Sequence, residues 1–195
     1  MATRVAVLAS GGGTNFENLA HHASDIGMEI VVLISDKHDA FAITRAQKLG
    51  IPHHVHSRSD FDSKASHETA ILDTLEAYSV SYVLLAGFMR ILSPDFIERY
   101  NHRIINLHPS LLPSFKGRDG IRDAYEYGVK VTGVTIHYVD AGIDTGEIIA
   151  QVPVMIEPGD TLEVLEDKIH GVEYALYPKA VKKVLKERDD EESTH

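Results

Sequence analysis

The run Asn106-Leu-His108-Pro-Ser-Leu-Leu-Pro113, with Asp144 following 36 residues after the histidine in Asp140-Ala-Gly-Ile-Asp144-Thr-Gly146, holds the residues best suited to chemistry. An amide, an imidazole and a carboxylate are the parts needed to move an acyl group. The Asn106 amide can donate an N–H to an oxyanion. The His108 imidazole can carry a proton near neutral pH. A carboxylate at Asp144 can favour the charged imidazole and raise its pKa. Singly, each reads as an ordinary turn residue: an Asn after a strand, a His before Pro, an Asp in a glycine turn. Their joint occurrence, in order and behind a glycine-rich loop, points to a site.

That loop is Ser10-Gly-Gly-Gly-Thr-Asn15. Glycines between a strand and a helix let the backbone approach an anion, and the free N–H groups of the helix start then donate to it. A dinucleotide site is a rival, with Asp36 placed where a ribose-binding acid can sit. A G-x-G-x-x-G pattern from Gly11 needs glycine at position 16, however, and finds Phe16. The lysine of a Walker loop is also missing.

Apolar runs and breakers supply the frame. Val5–Ala9, Ile30–Ile34, Tyr82–Ala86 and Arg103–Asn106 read as buried strands. Helices are expected near 14, over 40–49 and 62–78, at Ser93-Pro94 and over 119–127, the last closed by Gly128. Both catalytic segments then fall on turns just after strands, where open α/β sheets place their chemistry. Gly133–Val139 alternates as a half-buried strand should. Glu147–Val154 continues as a strand of its own, giving an antiparallel addition. Thr161 caps a final helical stretch that runs to Lys186 with interruptions near Gly171 and Pro178. The expected fold is α/β: a mostly parallel sheet with helices on both faces and an antiparallel C-terminal part. One domain over 1–195 is expected, with a nucleotide-binding half to about 100, a catalytic half over about 101–186, and a frayed tail over 187–195.

Hydrophobic residues at 44% and charged residues at 25% describe an ordinary globular protein. Without cysteine, disulfides and thiolate zinc sites are excluded. The N-terminus lacks the pattern of a signal peptide, and no apolar run approaches a membrane span, so a cytoplasmic location is expected. A net charge of −10 argues against nucleic-acid binding. It also means that anionic substrates must be met by local donors. His53, His54 and His56 lack the carboxylate or the helical spacing of a metal set, and no metal is expected.

The catalytic run, with Gly133–Asp140 and Asp144-Thr-Gly-Glu-Ile-Ile149 behind it, resembles the folate-dependent formyltransferase family. Ser10–Asn15 and Ala86-Gly-Phe-Met-Arg-Ile-Leu-Ser93 resemble the members that formylate glycinamide ribonucleotide. The likeness covers about Val5 to Pro178 and implies a Rossmann-like fold, with the half over about 101–186 serving folate and catalysis. It implies transfer of the formyl group of 10-formyltetrahydrofolate, as co-substrate, to the amine of that ribonucleotide in purine synthesis, with Asn106, His108 and Asp144 catalytic. It implies that Gly13, Thr14 and Asn15 hold the 5′-phosphate and that Glu173 holds the ribose hydroxyls. His170 matches a variable substrate contact. Met89, Arg90, Ile91 and Leu92, with Asp140, Ala141, Gly142 and Ile143, match pterin-binding segments. Arg90 and Lys64 can meet the benzoyl-glutamate carboxylates. Lys64 stands where some members have Arg, giving a point charge in place of a fork. The family also implies a cis bond at Leu112–Pro113.

Two other readings compete. The same folate chemistry can serve another amine, such as that of a nucleotide sugar. A non-catalytic nucleotide-binding protein would tolerate loss of Asn106, His108 and Asp144. The expected partners are the two small substrates, with neither nucleic acid nor membrane, and the chain is expected to be a monomer or homodimer.

Overall fold

The computed structural model describes residues 2–192. Contacts divide the chain into two compact units, Met1–Ile105 and Asn106–His195. The boundary falls inside a strand, a few residues beyond the expected meeting point of the two halves.

The first unit alternates strand and helix: β1 (Thr3–Ala9), α1 (Thr14–Ile26), β2 (Met28–Ser35), α2 (Phe41–Leu49), β3 (His53–Val55), α3 (Lys64–Ala77), β4 (Tyr82–Leu85) and α4 (Pro94–Arg99), with a 3-10 turn at Arg58–Asp60 before α3. It ends in the first residues of β5 (Ile104–His108). The strand order is β3-β2-β1-β4-β5. β1 pairs in parallel with both β2 and β4, so Val7 stands beside Leu33 on one side and Leu84 on the other. These strands are apolar without alternation because both faces are covered: Val5 to Ala9 are fully buried, as are Phe16 and Leu19 of α1 and Leu75 of α3. Each such leucine or phenylalanine contributes roughly 1.5–3 kcal/mol. The chain leaves the β3 edge and returns beside β1 as β4, so a topological switch lies between β1 and β4, where such sheets form their ligand crevice.

The second unit holds the rest of β5, then α5 (Gly120–Tyr127), β6 (Val131–Tyr138), β7 (Ile148–Met155) and α6 (Leu162–Glu192). Its strand order is β5-β6-β7. β6 and β7 are antiparallel, with Val134 opposite Val152 and a register shift between Ile136 and His137. Val134 and Ile136 on β6 and Leu165, Ile169, Tyr177 and Val181 on α6 form its fully buried core. A mostly parallel sheet with an antiparallel C-terminal addition is therefore the fold.

Two expectations need correction. β5 does not stop at Asn106 but runs through His108, because it lies between two neighbouring strands and stays extended. α6 is unbroken across Gly171 and Pro178. Burial of Tyr177, Ala180, Val181, Val184 and Leu185 keeps it helical past the proline, so packing overrides propensity. The helix also includes 187–192 of the tail expected to fray, and 193–195 lie outside the described residues.

Candidate active site

Asn106 and His108 sit two residues apart on β5, so they share a face. His108 is buried, at 4% exposure. Its Nε2 donates to the Phe115 carbonyl at 2.8 Å. A carbonyl can only accept, so Nε2 carries a hydrogen and Nδ1 is the nitrogen on the Asp144 side, 3.5 Å from Oδ2. Asp144 lies in the loop between β6 and β7, in left-handed backbone with φ 50. Its Oδ2 also accepts the Gly117 N–H at 2.8 Å. The segment Phe115–Gly117 thus holds the imidazole with a carbonyl and the carboxylate with an amide.

A fourth residue joins them. Asn106 Nδ2 lies 3.1 Å from His137 Nε2, and Asp144 Oδ1 is 3.8 Å from the same nitrogen. His137 Nδ1 donates to the Tyr138 carbonyl at 2.8 Å. This fixes the neutral tautomer, with Nε2 bare to accept the Asn106 amide. Burial, the largest influence, pushes the His137 pKa down, and the neighbouring His108 adds to that; the Tyr138 carbonyl and Asp144 pull the other way. One Asn106 hydrogen is held in this way, and the second remains to donate elsewhere. His137 is not among the residues that the sequence places at the site. The available signal was its parity with Thr135 on a strand whose residues Thr132–His137 are all buried.

Thr135 braces the loop that follows β5. Its hydroxyl donates to the Ser110 carbonyl at 2.7 Å and accepts the Leu112 N–H at 3.1 Å. Gln151 Nε2 reaches the Leu112 carbonyl at 2.9 Å. The Leu112–Pro113 bond is cis, as the family likeness implies. The neighbouring 140–144 loop is organised by Asp140, whose Oδ1 accepts the Gly142 N–H at 3.0 Å and the Thr145 hydroxyl at 2.6 Å. Ala141, Gly142 and Ile143 are exposed. Glu173 is buried on α6, and His170 Nδ1 lies 3.0 Å from its Oε2. This hydrogen bond is the main reason the His170 pKa is raised.

In the first unit, Gly13 precedes Thr14 and Asn15 at the start of α1 with φ 74. A side chain there would meet Ala42 of α2 at 2.6 Å, so this close approach requires glycine. Ser10, at the end of β1, accepts the Met89 N–H with its hydroxyl at 2.8 Å, tying the glycine loop to the 87–92 loop. Lys64, Met89, Arg90, Ile91 and Leu92 line one cavity of about 310 Å³ together with Arg58, His67, Glu68, Ile71 and Phe88. Leu92 is buried, whereas Met89 and Ile91 are exposed apolar side chains. Asp36 does not stand open for a ribose: it is fully buried and accepts from Arg90 Nε at 2.6 Å. His54 and His56 stack with centroids 6.0 Å apart, and their Nε2 atoms face the Tyr78 hydroxyl and the Thr74 hydroxyl. Among the described residues, no group of three or more His, Asp or Glu is arranged to hold a metal ion, and no helix is long and apolar enough to cross a membrane.

The family model described as formyl transferase matches residues 3–181. The phosphoribosylglycinamide formyltransferase of Bacillus subtilis is 41% identical over 184 residues, covering 93% of this chain and 94% of that protein. A trifunctional purine biosynthetic protein adenosine-3 of Bos taurus is 40% identical over 183 residues, or 93% of this chain and 18% of that much longer protein. Among solved structures, phosphoribosylglycinamide formyltransferase from Streptococcus pneumoniae superposes with a TM-score of 0.90 at 41% identity, covering 94% of this chain and 99% of that one. Glycinamide ribonucleotide transformylase 1 from Geobacillus kaustophilus gives a TM-score of 0.92 at 44% identity, covering 95% and 100%.

Proposed function

The chain belongs to the formyl transferase family, and from that premise we propose that it moves the formyl group of 10-formyltetrahydrofolate to the amine of glycinamide ribonucleotide in purine biosynthesis. The products are formylglycinamide ribonucleotide and tetrahydrofolate. The observation that carries the reading is the cluster of Asn106, His108, His137 and Asp144 in one family whose relatives perform this transfer.

The chemistry needs no covalent enzyme intermediate, because a neutral amine is already a nucleophile. Its nitrogen bonds to the formyl carbon, and the carbonyl oxygen becomes an oxyanion. The second Nδ2 hydrogen of Asn106 donates to that oxygen. A preorganised donor of this kind lowers the barrier by about 3–4 kcal/mol. The amine then loses one proton and the folate nitrogen gains one as the carbon–nitrogen bond breaks. Asp144 takes the first proton and His108 Nδ1 delivers the second, so the charge balances across their 3.5 Å contact. His137 stays neutral and positions the Asn106 amide.

Gly13, Thr14 and Asn15 take the 5′-phosphate at the start of α1, because a helix N-terminus points its backbone N–H groups and its dipole at an anion. Glu173 takes the ribose hydroxyls. The cavity beside Met89–Leu92 takes the benzoyl-glutamate part of the folate, and each of the segments 89–92 and 140–143 carries backbone groups suited to the edge of a pterin. The enzyme works in the cytoplasm on these two small substrates, as a monomer or homodimer and without nucleic acid, in keeping with its net charge of −10.

Acceptor competition tests the assignment against a nucleotide-sugar amine. With formyl folate and both amines present, formyl should appear on the ribonucleotide alone. Comparable formylation of the sugar nucleotide would overturn the acceptor.

A further inference from the structure

Three cations line the cavity beside Phe88–Leu92, and they are not equally available. Arg90 gives its Nε to the fully buried Asp36 at 2.6 Å. Lys64 Nζ lies 3.7 Å from Glu68 Oε1, an oxygen held in place by the Ser93 N–H at 2.9 Å. Each of these charges therefore has a carboxylate beside it. Arg58, on the 3-10 turn, is half-buried and donates from Nη1 to the Phe61 carbonyl at 2.6 Å. Among the described residues it meets no carboxylate. A carbonyl orients a guanidinium without cancelling its charge, and the other N–H groups of the fork stay open.

Three cations against Glu68 and Asp36 leave one positive charge over, and the pairing places it on Arg58. That local excess runs against a chain of net charge −10. The lining also includes the apolar side chains of Ile71, Phe88, Ile91 and Leu92. A ligand with a flat apolar body and an anionic end fits such a lining.

We infer that Arg58 is the carboxylate anchor of this cavity. It grips a glutamate carboxylate of the folate with its planar fork, a task that the sequence by itself assigns to Lys64 and Arg90. Lys64 contributes a weaker point charge, and Arg90 shapes the 89–92 loop through Asp36. The inference rests on the reading that this cavity receives the benzoyl-glutamate of the co-substrate.

Steady-state kinetics of the full chain with two formyl folates provide the test: the free glutamate diacid and its bis-carboxamide. Arg58→Gln keeps an N–H for the Phe61 carbonyl and removes the charge. It should raise the KM for the diacid by roughly tenfold or more, with the effect on KM and not on kcat. The KM for the diamide should hold, and Arg58→Lys should recover part of the loss. Ile91→Asp serves as a probe of the cavity itself, at an exposed position that need not disturb folding. If Ile91→Asp raises the folate KM and Arg58→Gln does not, the anchor is overturned while the cavity reading stands. If Arg58→Gln raises the diacid and diamide KM alike, its role is structural and the anchor is again overturned. If neither variant moves the folate KM, the cavity reading falls and the anchor falls with it.

Discussion

Asn106 Nδ2 donates to His137 Nε2 at 3.1 Å, and it can do so because the other His137 nitrogen gives its hydrogen to the Tyr138 carbonyl at 2.8 Å. One histidine tautomer thus sets the orientation of the amide across two strands. Burial keeps that imidazole neutral by pushing its pKa down.

Replacing His137 should therefore hurt the chemical step through Asn106. His137→Leu fills similar space but offers no acceptor, so the amide is free to turn. A lost buried hydrogen bond of about 1–3 kcal/mol corresponds to a kcat reduced roughly 5- to 150-fold. The KM for the ribonucleotide should change little. Equal activity in His137→Leu would show that Asn106 is oriented by something else.

His108→Ala should lower kcat by about 100- to 10,000-fold, the range typical of a positioned proton-transfer group. Ribonucleotide affinity, measured by calorimetry, should be largely kept because the phosphate is met elsewhere. Parallel losses in rate and affinity would make His108 a binding residue.

Some of this arrangement was legible in the sequence and some was not. Asn106, His108 and Asp144 stood out because their chemistry and order are unusual together. His137 did not, because its value depends on which atom of a neighbouring strand it faces. Apolar runs marked β1, β2 and β4 well, since strands buried on both faces must be continuously apolar. The end of β5 was misplaced because pairing on both sides carries the strand past Asn106. Pro178 suggested a break in α6 that burial of Tyr177 and Val181 prevents. By sequence Arg90 reads as open to a carboxylate ligand, but its pairing with Asp36 joins residues 54 positions apart and no local pattern announces it.

Acid should weaken the fold through the buried His137 and the half-buried His56. Burial lowers the pKa of His137, and burial with the nearby His54 and His67 lowers that of His56. Both groups bind protons more readily when unfolded, so stability rises with pH through the interval below the ordinary histidine value near 6.5 and is fully present above it. Thermal melts should show Tm falling as pH drops below about 6.5. His56→Gln, which keeps a partner for the Thr74 hydroxyl, should flatten part of that slope. A slope identical to that of the unaltered protein would remove His56 from the explanation.

Gly13→Ala should be costly for two reasons. The residue has φ 74, and the added carbon would lie 2.6 Å from the Ala42 side chain. Strain and crowding of this kind cost on the order of 1–3 kcal/mol each. Lower Tm and a raised KM for the ribonucleotide are expected together, because the same turn presents the α1 start to the phosphate. An unchanged ribonucleotide KM in a destabilised Gly13→Ala protein would separate the turn from phosphate binding.

The most direct measurement is the absorbance change as purified protein meets 10-formyl folate, with and without glycinamide ribonucleotide. The account predicts folate deformylation only when the ribonucleotide is present, matched by formation of the formylated ribonucleotide. Deformylation without it would indicate a hydrolase, and no turnover with the ribonucleotide bound would contradict the assigned transfer.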